Sequence, residues 1–217
     1  MPKKRDTILI LSAHSDDFVL GAGGTIARYA QEGKKVLVVV FSYGEKSHPW
    51  LKKHITKKIR AEETFQASKV LGCKTSFLDL HEFKFYEDYQ RSNGAEVLLK
   101  LIIKEKPVKI FTHSHEDPHP DHQAVNRITL EMYDCLPKEI KPEVYIYSVW
   151  NPVSFRTLYP ALYVDVTHTF SIKLKALKMF ASQRIHIAYP FILLLFRAIK
   201  DGFHIGKQGG EHFFKIR

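Results

Sequence analysis

The sequence predicts an α/β sandwich on a mostly parallel sheet of strand order 3-2-1-4-5. Two observations lead there: β-branched runs alternate with helical patterns through the first two thirds of the chain, and clusters of His and Asp follow directly on two of those runs. At 217 residues the chain suits one domain, residues 1–217, large enough to bury a core without staples. Hydrophobic residues at 45% and charged residues at 26% are ordinary for a soluble globule and exclude a disordered chain.

Thr7 to Ala13 reads as a buried first strand, Gly23 to Glu32 as a helix, and Lys35 to Phe41 as a second strand. Lys53 to Leu71 follows as a helix ended by Gly72. The period repeats with a short strand at Ser76 to Leu80, a helix at Ala95 to Lys104 and a strand at Val108 to His113. A helix from Pro120 to Leu136 and a strand from Val144 to Trp150 complete it. Past Pro152 the pattern loosens into a strand at Ala161 to Val166, a helix from Ser171 to about Arg184, an apolar helix from Pro190 to Lys200 and a closing edge strand within Gly206 to Arg217. Right-handed crossovers between parallel strands are the expected packing.

The net charge of +10 invites a nucleic-acid, anionic-membrane or anionic-substrate partner. The lysines are scattered, however, and no nucleic-acid motif accompanies them, so the charge reads as solvated surface and no nucleic acid is expected. Cys73 and Cys135 lie far apart without CxxC spacing, which excludes a disulfide framework and a thiolate metal site and points to the cytoplasm. The basic start, Met1 to Arg5, lacks the h-region of a signal peptide. Ile187 to Phe196 has ten residues and contains Pro190, against the roughly 20 of a membrane-spanning helix. It reads as a buried helix, the alternative being an interfacial or substrate-groove segment. The pattern leaves homo-oligomer formation open.

The chemistry concentrates in two places. Ala13-His14-Ser15-Asp16-Asp17 follows the first strand and precedes the small-residue stretch Gly21 to Thr25. His14 and Asp17, three apart, reach one side of a single turn, where an imidazole nitrogen and a carboxylate oxygen can bind one cation. The same residues could also cap the helix. The glycines do not complete a dinucleotide fingerprint, because Ile26 stands where GxGxxG needs glycine; close packing of the helix start is their simpler use. The run His113 to His122 follows the fourth strand and holds four histidines and three acids, with Pro120 placed as the first residue of a helix. In strand order 3-2-1-4-5 the first and fourth strands are neighbours, so both clusters share the crevice at their C-terminal ends. His14, Asp17 and His122 then supply three ligands and leave a position open for water, the pattern of a catalytic zinc site. Asp16 and His119 stand beside it.

His14 to Asp17, Gly21 to Ala27 and Asp117-x-His119-Pro120-Asp121-His122 resemble the signatures of the PIG-L/LmbE-like N-deacetylase family. Arg60 with Glu62 and Glu63 ahead of Leu71-Gly72, and Ser182-Gln183, extend the likeness over most of the chain. The resemblance implies a Rossmann-like three-layer sandwich and zinc-dependent removal of an acetyl group from an N-acetylglucosamine unit, in a small-molecule or lipid-linked amino sugar. It implies His14, Asp17 and His122 as zinc ligands, with another divalent metal as the alternative ion. It further implies Asp16 as general base, and His119 as the group that stabilises the oxyanion or protonates the leaving amine. Asp121 would orient a histidine, and Arg60 would face the substrate. Chemically, a carboxylate beside metal-activated water can take its proton, and a cationic His119, held so by Asp121 or Asp117, can meet the oxyanion.

Two departures stand out, Ser15 and Phe18, where the family motif has Pro and Glu. Arg60 also admits a plainer reading, as part of a solvated ion-pairing face. Tyr43, His48 and Trp50 after the second strand suit a pocket wall, a lid or a shield over the core. Competing functions are cleavage of a different N-acyl amide, and a non-enzymatic protein that binds an anionic ligand.

Overall fold

β1 (Thr7–Ser12), with the sequence TILILS, is buried at every residue. Side chains alternate across a strand, so Ile8 and Ile10 enter one core cluster and Leu9 and Leu11 the other. A strand covered on both faces needs such an unbroken apolar run. The computed structural model describes residues 5–44, 52–151, 159–183 and 191–217. Downstream of β1 come α1 (Asp17–Gln31), β2 (Lys35–Val40), α2 (Lys53–Leu71), β3 (Lys74–Phe77), α3 (Phe85–Arg91), α4 (Gly94–Glu105) and β4 (Lys109–His113). Then follow α5 (Pro120–Asp134), β5 (Glu143–Tyr147), β6 (Ala161–Asp165), α6 (Phe170–Leu177), a short 3-10 turn at Ala181–Gln183, α7 (Phe191–Phe203) and β7 (Gly210–Lys215).

The sheet has the order β3-β2-β1-β4-β5-β7-β6. Its first five strands are parallel and in the expected order, with β1 between β2 and β4. Helices α1, α2, α6 and α7 supply Ala22, Ile26, Ala67, Leu71, Ala176 and Leu194 to the core on one face. Helices α3, α4 and α5 supply Phe85, Leu98, Ile102, Val125 and Ile128 on the other. Three layers result, as the Rossmann-like reading requires.

Several expectations change. The closing strand is interior: β7 runs antiparallel to both β5 and β6, and β6 is the edge. Its register inserts the buried Phe213 into the core, which an edge position would leave half covered. The first helix starts at Asp17, not Gly23. Helix α3 was not anticipated; its buried Phe85 and Tyr89 are too few to show a period in seven residues. The apolar helix is anchored rather than buried, with only Leu194, Ala198, Asp201 and Gly202 of α7 inaccessible. Ile187 to Pro190, His48 and Trp50 lie outside the described residues. Among the described residues no helix is long and apolar enough to cross a membrane.

The glycines of α1 serve close approach. A Cβ on Gly21 would lie 2.2 Å from the Tyr147 ring, and one on Gly24 would lie 2.9 Å from Val166 and 3.1 Å from Glu211. Through that gap Glu211 of β7 reaches α1, accepting the N–H groups of Gly24 at 3.1 Å and Thr25 at 2.8 Å. The same carboxylate takes Lys173 Nζ of α6 at 2.7 Å, and both side chains are buried. Glu211→Ala would strip a buried ammonium of its carboxylate and two amides of their acceptor. The expected cost is about 3–5 kcal/mol, read from urea unfolding; a variant as stable as the wild type would dismiss this tie.

Candidate active site

Because β1 and β4 are adjacent and parallel, their outgoing loops meet at one end of the sheet. β1 passes through His14-Ser15-Asp16 into α1, where the Asp16 carbonyl accepts the N–H groups of Val19 and Leu20 at 3.0 Å each. Asp17 opens that helix, where a carboxylate is favoured by the helix dipole. β4 leads into α5, whose N-cap is His119: its Nδ1 accepts the Asp121 N–H at 3.2 Å, and Pro120 begins the helix as expected.

One oxygen stands at the centre. Asp17 Oδ2 is 3.2 Å from His14 Nδ1 and 3.2 Å from His122 Nε2. Ligand atoms of a tetrahedral zinc, each about 2.0–2.1 Å from the ion, lie about 3.3 Å apart. His14, Asp17 and His122 offer ligand atoms within 4.8 Å of one another. Both nitrogens of the inaccessible His122 lack a hydrogen bond of proper geometry among the described residues. An orphaned, buried imidazole nitrogen aimed at a carboxylate oxygen is what a ligand nitrogen looks like without its ion, so the residues fit a divalent cation. His14, His119 and Asp121 form an adjoining group of the same kind.

Carboxylates orient both imidazoles from behind. His14 Nε2 meets Asp121 Oδ2 at 3.0 Å, and His122 Nδ1 faces Asp117 Oδ1 at 3.0 Å. Asp117 is itself tied down by the N–H groups of His119 at 3.1 Å and Trp150 at 3.0 Å. The imidazole that Asp121 meets is that of His14. For His119, burial and then the charges of His14 and His122 push the pKa down and outweigh the opposing pull of Asp121 and Asp17. Burial opposes charge on His14 too, yet Asp121 and Asp17 overcome it and raise the imidazole to about 10. His122 likewise rises to about 9 against burial, through Asp17 and Asp117. Burial alone would push Asp17 up, but His122 and His14 hold it well below the carboxylate range.

Asp16 faces a different field. Burial and the neighbouring Asp17 push it up to about 6, with Arg60 pulling the other way. Arg60 is not on a solvated face: it is 1% exposed, in a field of Asp16, Glu63 and Glu82. Glu63 in turn accepts both the N–H and the hydroxyl of Ser182 at 2.7 Å. The two lesser sequence signals, Arg60 to Glu63 and Ser182, are thus one structural tie.

The two departures are mild. Phe18 is fully buried in the core beside Val19 and Ile26, on the sheet side of α1. Ser15 donates its hydroxyl to the Tyr43 carbonyl at 3.1 Å and joins the loops after β1 and β2. The Tyr43 ring stacks on Phe77 at 4.1 Å between centroids, so it shields that side chain.

Two participants escaped the sequence reading. His113, inaccessible at the end of β4, accepts the Ala13 N–H on Nε2 at 2.9 Å and stacks under His122. Burial first, and then His122, hold its pKa well below the usual imidazole range. Its place inside the histidine run was the available signal. Glu82, in the loop after β3, brings Oε1 to 3.9 Å from His14 Nε2. No spacing pointed to it.

The model of the PIG-L family, GlcNAc-PI de-N-acetylase, matches residues 9–133, which include every residue of the histidine cluster. The chain belongs to this family. Several relatives in this family are deacetylases, that is, amide hydrolases. Among its relatives is a 4-oxalmesaconate hydratase of Pseudomonas putida, 27% identical over 95% of this chain and 85% of that one. Another is a probable N-acetyl-alpha-D-glucosaminyl L-malate deacetylase 2 of Bacillus cereus, 25% identical over 81% of this chain and 83% of that one. The N,N'-diacetylchitobiose deacetylase of Pyrococcus horikoshii has the same fold, with a TM-score of 0.80 at 25% identity over 99% of this chain and 85% of that chain.

Asp117 makes a direct test of the site. With zinc as the probe, Asp117→Asn is expected to bind the ion about 10–100-fold more weakly, measured by competition with a chromogenic chelator. Equal affinities would remove Asp117 from any part in orienting His122.

Proposed function

We propose that this PIG-L protein is a zinc-dependent N-deacetylase that hydrolyses the acetamide of an N-acetylglucosamine-containing substrate, with His14, Asp17 and His122 holding the ion. The observation that carries the reading is the single Asp17 oxygen 3.2 Å from two imidazole nitrogens, beside a second carboxylate, Asp16, raised to about 6. Zinc, when bound, supplies an acidic water and a Lewis acid for the acyl oxygen.

The side chains supply the rest. Asp16, with a pKa near 6, accepts a proton from the attacking water as its oxygen bonds to the acetyl carbon. His119, its Nδ1 already engaged by the Asp121 N–H, presents Nε2–H as a hydrogen-bond donor to the developing oxyanion. Its depressed pKa makes it a neutral donor near pH 7. When the C–N bond breaks, the proton held by Asp16 passes to the leaving nitrogen, and acetate and a free amine result. Arg60 is a positioning residue that acts through Asp16; it does not touch substrate in this reading. Asp121 and Asp117 hold the imidazoles of His14 and His122 in place.

Purified, zinc-loaded protein is to be tested for acetate release from a panel of N-acetylated amino sugars, free and lipid-linked, with other N-acyl amides as rivals. Because one relative is a hydratase, the panel includes an unsaturated tricarboxylate. Hydration of that compound with no amide cleaved would overturn the reading. Asp16→Asn is expected to lower kcat by about 10²–10⁴-fold with the metal content unchanged; retention of turnover would exclude Asp16 as the base.

Metal uptake carries its own signature. A ligating imidazole must be neutral, whereas the folded-state pKa values of His14 and His122, about 10 and about 9, keep both charged at neutral pH. Zinc binding near pH 7 should therefore release about two protons per ion and weaken as pH falls. Calorimetry in buffers of different ionisation enthalpy reads the number; a buffer-independent heat would contradict it.

A further inference from the structure

The outer face of α7 is apolar and uncovered. Ile192 is 77% exposed, Phe196 63% and Phe203 84%, with Leu195 and Ile199 exposed between them. Offsets of three, four, seven and eleven from Ile192 place all five on one side of the helix. The opposite side is firmly held: Leu194 and Ala198 are buried, and Asp201 takes His212 Nδ1 of β7 at 2.7 Å. Five large apolar side chains on one anchored helix face form a patch of the kind that soluble monomers seldom leave in water.

The charges around that face select its partner. Lys200 is exposed beside the stripe, 3.9 Å from Asp201, and His204 and Lys207 are exposed just past the helix end, Lys207 3.9 Å from Asp165. The single acid between residues 191 and 208, Asp201, is buried against β7. The whole chain carries a formal charge of +10. An apolar stripe bordered by cations complements an anionic bilayer, which offers an acyl layer for the one and headgroups for the other. Thirteen residues make a helix about 20 Å long, too short to span the hydrocarbon layer, so the orientation left to it is in the plane of the interface.

We propose that α7 docks this protein on anionic lipid surfaces, with Ile192, Leu195, Phe196, Ile199 and Phe203 sunk into the acyl boundary and Lys200 and Lys207 on the headgroups. The helix is also joined to the catalytic cleft. Arg197 donates to the carbonyls of Val149 at 3.3 Å and Asn151 at 2.9 Å. Between them the Trp150 N–H is bonded to Asp117, the carboxylate that faces His122. A docked helix tied in this way to the segment that bonds Asp117 would suit an amino sugar carried on a lipid. That last step rests on the deacetylase reading; the docking does not.

Sedimentation of the full chain with vesicles of phosphatidylcholine, alone or mixed with phosphatidylglycerol, tests the docking. Strong binding to the mixed vesicles and weak binding to neutral ones is expected. The pair Phe196→Ser with Phe203→Ser, and separately Lys200→Glu with Lys207→Glu, should each weaken it at least about tenfold, with an unchanged unfolding midpoint and unchanged hydrolysis of a water-soluble amide. No binding to mixed vesicles, or binding indifferent to both pairs, would overturn the proposal. Self-association lost on the phenylalanine substitutions, without vesicle binding, would assign the face to a second copy of the chain and overturn it equally. Absence of amide hydrolysis by the wild type would instead strike the deacetylase reading and leave the vesicle result standing.

Discussion

The buried carboxylate of Asp17, pressed between two imidazoles, is the constraint around which the cleft is built. A negative charge this deep is tolerated only when positive charge sits beside it. In the protein without an ion, His14 and His122 supply that charge as protons, each pushed well above its ordinary pKa. The same field accepts a divalent cation in exchange for those protons. Asp117 and Asp121 extend the alternation of acid and base one layer outward, so that neither imidazole can turn without breaking a hydrogen bond or an ion pair.

That arrangement depends on the sheet. Asp17 and His122 are more than a hundred residues apart, and only the parallel pairing of β1 with β4 brings their loops together. The backbone then aims the side chains. α1 starts at Asp17 and is drawn against the sheet where Gly21 and Gly24 admit Tyr147 and Glu211. α5 starts behind His119, whose imidazole both caps the helix and faces the cleft. Glu211 links α1, α6 and β7 in one buried contact, so the last strand of the chain steadies the first helix of the site.

Much of this was legible beforehand. Continuous apolar strands such as Thr7–Ser12, the helix stop at Gly72 and Pro120 as a helix opener are local signals, and local signals survive folding. The candidate ligands were legible as well, because His and Asp at short spacing after a strand have few purely structural uses. Less was visible wherever a role comes from partners distant in sequence. Arg60, expected to face the substrate or, more plainly, to sit on a solvated ion-pairing face, is buried in the field of Asp16 and Glu82. Glu82 had no pattern at all. The closing strand looked like an edge because composition does not reveal how many neighbours a strand acquires.

The sequence by itself determined the α/β class, the order of the five parallel strands and the two His- and Asp-bearing loops that meet at the cleft, because these follow from periodicity, turn residues and side-chain chemistry. The tertiary structure decided which acid lies against which imidazole, that His119 caps α5 with its pKa pushed down, that Arg60 is buried in the field of Asp16, and that α7 turns an apolar face outward. Those outcomes depend on distances and burial between segments far apart in the chain, and the free energies they set, desolvation against pairing, have no counterpart in any local stretch of residues.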